Sequence, residues 1–382
     1  MHAVVVGGGI VGLASAYYLA QRDVAVTVCE KATVGAGSTE RSAGGIRAQF
    51  STPVNVALSV AAMDVWDDFE ETFDTDIAYR RTGYLFLARD EATLERFRED
   101  VRMQNDHGVD SELLDAAGAA ERCRGLDASQ FAGATYHARD GFCDPHLALQ
   151  AFSTAVHEAG VDVRTRTPVT DVHREGGRVV GVETPDGTLA ADVVVNAAGP
   201  WARRVARMAG VDLPVAPKRR QMAVVEPERS VPESDPLTID LDTGSYFRPE
   251  RDGNALVGGH FGGADPDQDP DGYDEGFDVA WAADAVEAAA GWTDYFGPES
   301  RIRRGWAGLY AVTPDHHPVV EETVPGLVNA VGFSGHGFQH APATGQVVAE
   351  IVADGAPSLV DVSRLSSDRF ASGDLIDERN VA

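Results

Sequence analysis

Three glycines near the start of the chain, Gly7, Gly9 and Gly12, stand at GxGxxG spacing in VVVGGGIVGL, and an acid, Glu30, closes the next apolar run, VAVTVCE. Each glycine does something a side chain would prevent. Gly7 allows a tight turn, Gly9 lets the backbone approach a pyrophosphate, and Gly12 lets a helix pack close to a strand. Ile10 and Val11 begin the helix whose positive end would face those phosphates. Glu30, with Lys31 beside it, is placed to accept hydrogen bonds from an adenosine ribose. Far along the chain, GFSGHGFQH sets His336 and Gln339 in a turn with Gly332, Gly335 and Gly337, where backbone can press against something flat or anionic. The chemistry these residue types allow is the binding of a dinucleotide.

The surrounding elements support that chemistry. HAVVV reads as a short buried strand, LASAYYLAQR as a helix and VAVTVCE as a second strand, the first half of a dinucleotide-binding sheet. Residues 35–55, rich in Gly, Ser and Arg, read as a long functional loop. Helical periods follow at 56–73, 91–107, 145–160 and 279–291, with a last helix at 341–353. Strands are expected at GYLFLA, VDVRTRTPV, ADVVVNAAG, QMAVVEP, SYFRP, NALVGGH and GLVNAVGF, and a hairpin across VTDVHREGGRVVGVETPDG. The order predicts a nucleotide-binding domain from 1–80, 145–212 and 320–366, interleaved with a β-rich domain from 81–144 and 213–319. Residues 367–382 read as a loosely ordered tail.

Composition narrows the setting. In 382 residues, 32 basic side chains face 60 acidic ones, a net charge of −28, and lysine occurs only at Lys31 and Lys218. Dense carboxylates suit a protein kept soluble in high salt, and they exclude nucleic acid as a partner, which needs a basic footprint. Three cysteines, Cys29, Cys123 and Cys143, have no CxxC spacing, so neither a disulfide framework nor a zinc site is expected, and a reduced, cytoplasmic setting is. The apolar N-terminal run has no basic n-region and its glycines interrupt it, so it does not read as a signal peptide, and no segment is long and apolar enough to span a membrane. The acidic run DQDPDGYDEGFD comes close to a calcium loop, but Pro270 sits inside it and the twelfth position lacks a glutamate. It reads as a solvated loop, with cation binding at 265–278 left open.

The segment GAGSTERSAGGIRAQFSTPVN selects FAD over NAD, because with it the sequence resembles the D-amino-acid-oxidase (DAO) superfamily of flavoproteins. Within that superfamily the resemblance is to the sarcosine oxidase and dehydrogenase, dimethylglycine dehydrogenase and dye-linked proline dehydrogenase group. It covers nearly the whole chain, through GFCDPHLALQAF, VVNAAGPW, YFRP, WAGLYAVTPDHHPVV and GFSGHGFQ. It implies an α/β (α+β) fold, a Rossmann-like FAD-binding domain of glutathione-reductase type interleaved with a substrate domain of mixed antiparallel sheet. With the acidic composition it implies a haloarchaeal source. It places Ser38, Thr39, Arg41, Ser42, Ala43, Gly44 and Gly45 along the pyrophosphate and the isoalloxazine edge, Val169 at the adenine, and Ala198 and Gly199 near the ribityl chain or phosphates. Gly332, Ser334, Gly335, His336, Gly337, Phe338 and Gln339 pass under the flavin pyrimidine.

For the substrate, Arg47 resembles the arginine that holds the carboxylate in sarcosine oxidases, and a guanidinium fork suits that anion. Tyr246 and Arg248 border the same cavity. Tyr310 falls where glycine and D-amino-acid oxidases carry an arginine, and Gln339 where sarcosine oxidases carry a lysine. His336 forms part of the flavin wall, His260 is a weaker candidate, and His316 and His317 read as turn residues. The positions of the flavin-linking cysteine and histidine of relatives fall near Gly308 and Arg41, so FAD should be held non-covalently. The oxygen-activating lysine would fall near Leu256 and is absent, which favours a dehydrogenase, with a quinone or electron-transfer protein rather than O2 as acceptor. The expected activity is oxidation of a carboxylate-bearing secondary or tertiary amine. The alternatives are a D-amino-acid or 2-hydroxy-acid oxidoreductase and, from another class, an assembly factor for a respiratory complex. Some relatives imply a homo-oligomer or the β subunit of a hetero-complex.

Overall fold

The computed structural model describes residues 1–261 and 263–381. Two sheets organise them. In the first, strands run in the order Val319–Val324, Leu327–Val331, Val193–Asn196, His2–Val6, Ala25–Cys29, Asp162–Arg164. His2–Val6 pairs in parallel with both Ala25–Cys29 and Val193–Asn196, and the latter in parallel with Leu327–Val331. Such parallel strands, buried on both faces, explain the unbroken valine runs. Parallel neighbours also demand crossovers: helix Ile10–Ala20 makes the first, and the later partners arrive from remote parts of the chain. Helix Gly337–Asp354 lies against Ile10–Ala20, and Gly345 makes the approach possible, since a Cβ there would stand 2.7 Å from the Ala14 carbonyl carbon.

The second sheet has eight strands, ordered Arg301–Val312, Ala216–Glu226, Ala255–Gly259, Ser245–Pro249, Leu237–Asp240, Tyr84–Ala88, Gly133–His137, Glu112–Asp115. It is mixed: Leu237–Asp240 runs parallel to Tyr84–Ala88 and the other neighbours are antiparallel. Helix Val279–Ala290 and the buried rings of Trp292, Tyr295 and Phe296 fill its outer face.

Several sequence expectations need correction. The last helix begins at Gly337, not at 341, so the glycine motif itself forms its first turn. The run 56–73 is two helices, Pro53–Asp67 and Phe69–Phe73, broken at Asp68. VDVRTRTPV yields only Asp162–Arg164 as strand. The long strand Arg301–Val312 was not foreseen as an element. The tail from 367 is tied down: Arg369 and Glu378 are buried, Arg369 pairs with Asp315 at 2.7 Å, and the Glu378 amide donates to the Asp315 carbonyl. Polar residues suggested looseness locally, but their partners lie far back in the chain. Residue 382, also assigned to that tail, lies outside the described residues.

Candidate cofactor and substrate site

A cavity of about 770 Å³ runs between the two sheets. Every residue singled out above for cofactor or substrate lines it except Gly12, Gly44, Arg248 and His260. The two glycines act from behind. A Cβ on Gly12 would meet the Gly7 carbonyl oxygen at 1.9 Å, and one on Gly44, where φ is +71°, the Cys143 carbonyl oxygen at 2.1 Å. Gly7 itself has φ +111°, and a Cβ on it would stand 2.5 Å from the Ala197 carbonyl oxygen. At the start of helix Ile10–Ala20 no side chain caps the first amides except that Thr39 Oγ1 accepts from the Ile10 N–H at 3.1 Å. Glu30 accepts from the Gly8 and Ala32 amides at 2.8 and 2.7 Å, which fixes its carboxylate and leaves acceptor capacity for hydroxyls. This glycine cradle, with free amides and an oriented acid, fits a dinucleotide pyrophosphate and ribose. Arg248 turns elsewhere: it pairs with Glu250 and lies 4.2 Å over the Phe142 ring. His260 is exposed, 4.0 Å from Asp265.

At the other end sits Arg47, only 8% exposed. Its Nη1 donates to the Gln49 carbonyl at 2.7 Å, its Nη2 to the Asn380 carbonyl, and the guanidinium stacks 3.8 Å over Phe50. Burial lowers its pKa, against which Glu378, Tyr84 and Asp140 act. The Arg47 backbone N–H donates to Gln339 Oε1 at 2.9 Å, which fixes the amide orientation and leaves the buried Nε2 of Gln339 without a partner among the described residues. Trp66 holds the same residue from behind, donating to the Gln339 carbonyl at 2.8 Å. Three phenols complete the chamber: Tyr246 and Tyr310, foreseen, and Tyr84, not foreseen. Each rests on a glycine. A Cβ on Gly45, Gly258 or Gly335 would come within 2.2 Å of Tyr84, Tyr246 or Tyr310 respectively. Burial raises the pKa of all three, so they remain protonated donors.

Two buried networks hold this end in place. Asp140, fully buried, accepts from the Ala48 N–H (2.8 Å), Gln49 Nε2 (3.0 Å) and His137 Nδ1 (2.6 Å), which fixes the residues directly after Arg47. Burial presses the His137 pKa down, but Asp140 outweighs it and the pKa is raised. On the opposite wall His336 Nε2 is 2.9 Å from the His316 carbonyl, His336 Nδ1 is 3.2 Å from His340 Nδ1, and His340 Nε2 is 2.8 Å from Ser59 Oγ. A carbonyl can only accept, so His336 donates from Nε2 and accepts at Nδ1, His340 donates from Nδ1, and the Ser59 hydroxyl donates to His340. Burial lowers both histidine pKa values, His340 to about 3. Both are neutral, and His336 has no lone pair left to act as a base.

The acidic run 265–278 is more than solvated. It crosses the cofactor end of the cavity, where Pro270, Asp271, Tyr273 and Glu275 line the wall. Asp271 accepts from Lys31, from Trp201 Nε1 at 2.8 Å and from Arg204 at 2.5 Å. Asp269 pairs with Arg204 at 2.6 Å, Glu275 with Arg41 at 2.7 Å, Asp278 with Arg219 at 3.0 Å and Asp267 with Lys218 at 2.8 Å. Its charges answer cations of the chain. Lys31, expected at the ribose, points to Asp271 and lies 4.1 Å over the Trp201 ring.

Besides Tyr84, the sequence reading missed Trp201, Arg220, Asn380 and Val381 in the lining. VVNAAGPW carried Trp201 in plain view; the tail residues gave no signal.

Comparison with known proteins agrees with this geometry. Residues 2–351 match the DAO family of FAD dependent oxidoreductases. FAD-dependent oxidoreductase domain-containing protein 1 of Xenopus laevis is 31% identical, over 99% of this chain and 84% of that protein. Sarcosine oxidase subunit beta of Rhizobium meliloti is 29% identical, over 98% and 90%. Among solved structures, L-proline dehydrogenase from P. horikoshii superposes with a TM-score of 0.88 at 32% identity, covering 98% of each chain. The fold, the glycine cradle and these relatives agree: the chain belongs to the DAO family of FAD-dependent oxidoreductases.

Proposed function

We propose that the chain oxidises a carboxylate-bearing secondary or tertiary amine, such as sarcosine, dimethylglycine or proline, with FAD held non-covalently. The pairing of Arg47 with Gln339 carries this reading: a buried cation and a free amide donor share one chamber with three protonated phenols. The carboxylates lining the cavity, Glu30, Asp271 and Glu275, are held by backbone amides or by Lys31, Arg204 and Arg41 at the cofactor end. The substrate end therefore takes an anion and offers an ammonium no partner, so the amine enters neutral and its lone pair assists hydride loss from the adjacent carbon. Bound FAD supplies the two-electron acceptor at N5. The residues of this chain bind, orient and exclude water: Arg47 and Gln339 fix the carboxylate, and Tyr84, Tyr246 and Tyr310 wall the space beside it. Gly308 and Arg41 touch, a Cβ on the former lying 2.9 Å from the latter's Cβ, and neither offers a nucleophile to a flavin. The names of the β-subunit and proline dehydrogenase relatives support this substrate class and a place in a larger complex. A 2-hydroxy-acid reading needs a base, and the committed nitrogens of His336 argue against it.

Anaerobic addition of N-methyl and cyclic amino acids should bleach the visible absorbance of the bound flavin. If no member of such a panel does so, the amine reading fails and the assembly-factor reading takes its place. After bleaching, a quinone analogue should restore colour faster than air, because the oxygen-activating lysine of relatives would fall near Leu256 and this chain has no lysine there.

A further inference from the structure

The sequence marked residues beyond 366 as loose, yet Glu378 and Asn380 are each 1% exposed. The Glu378 carboxylate accepts from the Ser51 amide and hydroxyl (2.7 Å each), the Thr52 hydroxyl (2.8 Å) and Asn55 Nδ2 (3.0 Å), all at the start of helix Pro53–Asp67. The Asn380 N–H donates to Glu378 Oε1 at 3.2 Å, and the Arg379 N–H to Ser51 Oγ at 2.9 Å. Held this way, the Asn380 carbonyl accepts from Arg47 Nη2, and Asn380 and Val381 line the cavity.

We infer that the segment Glu378–Val381 is a wall of the substrate chamber and sets the size of the acid that reaches Arg47. Glu378 is its positioning residue and Val381 its contact surface. The inference rests on the carboxylate-binding reading of Arg47. That guanidinium has one Nη committed to Gln49 and the other to the tail, so an incoming carboxylate meets a fork fixed in direction, with the tail beside it. Small acids fit under this wall; a bulky side chain meets Val381.

The probes are acetate and benzoate, each titrated against the FAD-loaded protein and read from the shift in the visible flavin spectrum. Wild type should bind acetate in preference to benzoate. Val381→Gly should move the benzoate-to-acetate affinity ratio upward, and Val381→Trp should move it downward, each by at least about tenfold, the discrimination that a methylene or two supplies in an apolar pocket. Glu378→Gln should raise the ratio in the same direction as Val381→Gly, because the wall loses its anchor. With proline or sarcosine as reductant, that variant should raise KM more than it lowers kcat, as misplacement of a binding group does. An unchanged ratio in both Val381 variants overturns the wall while leaving carboxylate binding intact. Failure of either acid to perturb wild-type flavin overturns the carboxylate reading and the wall with it. If Glu378→Gln does not fold, the Val381 pair still decides, since that residue lines the cavity.

Discussion

Two remote segments cover the same cavity and are held by opposite physics. The acidic loop over the cofactor end is fastened by ion pairs at the surface: Asp269, Asp271, Glu275 and Asp278 have side chains roughly half exposed or more. The tail over the substrate end is fastened by buried carboxylates: Glu378 accepts from neutral amides and hydroxyls, and Asp315 and Asp100, both buried, pair with Arg369 and Arg379. Exposed pairs are each worth about 0–1 kcal/mol and weaken as salt screens them. A buried carboxylate that loses its donors costs several times more, and salt scarcely reaches it. The cofactor end can therefore loosen and refasten, whereas the substrate end holds one geometry.

Substitutions can break or sharpen that contrast. The largest effect is expected for Arg47→Ala, which removes the buried cation. Reduction of FAD by an amino-acid substrate should slow on the order of a thousandfold in kcat/KM, the scale of a broken buried pair. An effect under tenfold would show that the fork does not hold the substrate. Next comes Asp140→Ala, which strands the Ala48 amide, Gln49 Nε2 and the His137 Nδ1–H. It should lower unfolding free energy by about 3 kcal/mol in denaturant titration.

The pH dependence of the histidine pair follows. His336 and His340 have pKa values lowered in the folded state, His340 to about 3, so below the unfolded value the folded chain binds fewer protons than the unfolded one. Stability contributed by this pair is present above the unfolded value and is lost as pH falls below it, by up to about 1.4 kcal/mol per pH unit for each ring. His340→Gln should flatten the acid limb of the denaturation midpoint by one ring's share; an unchanged slope would mean that ring is not held neutral. The smallest effect is expected at the surface. Asp271→Asn should weaken FAD retention in dilute buffer by about 1 kcal/mol or less, and the difference from wild type should shrink in high salt. A large, salt-independent loss of FAD would erase the contrast between the two covers.

What could be read in the sequence divides along similar lines. The glycine cradle was legible because its work is done by backbone near in sequence: Gly7, Gly9 and Gly12 declare a turn, an approach and a close packing without reference to anything distant. GFSGHGFQH was legible as a glycine-rich turn at the site but not as a helix start. Glycine and Pro342 argue locally against helix, while packing on Trp66 and on helix Ile10–Ala20 imposes it. Tyr84 looked like one more apolar strand residue, because only Gly45, from another segment, makes room for its hydroxyl. Glu378 was illegible for the same reason: its donors are Ser51, Thr52 and Asn55, and nothing in the tail announces them.

Helix Gly337–Asp354 also bears on the order in which the molecule can be made. The cradle at Gly7–Gly12 is synthesised first, but strand Leu327–Val331 and the helix packed on Ile10–Ala20 come from the far end of the chain. A nascent chain still short of Gly337 has the N-terminal glycine turn without the helix start that lines the same cavity, and one short of Glu378 has Arg47 with no Asn380 carbonyl to hold its second Nη. Such non-local closure makes late folding slow. The glycine turn and the wall opposite it therefore become one site only when segments far apart in sequence have folded together.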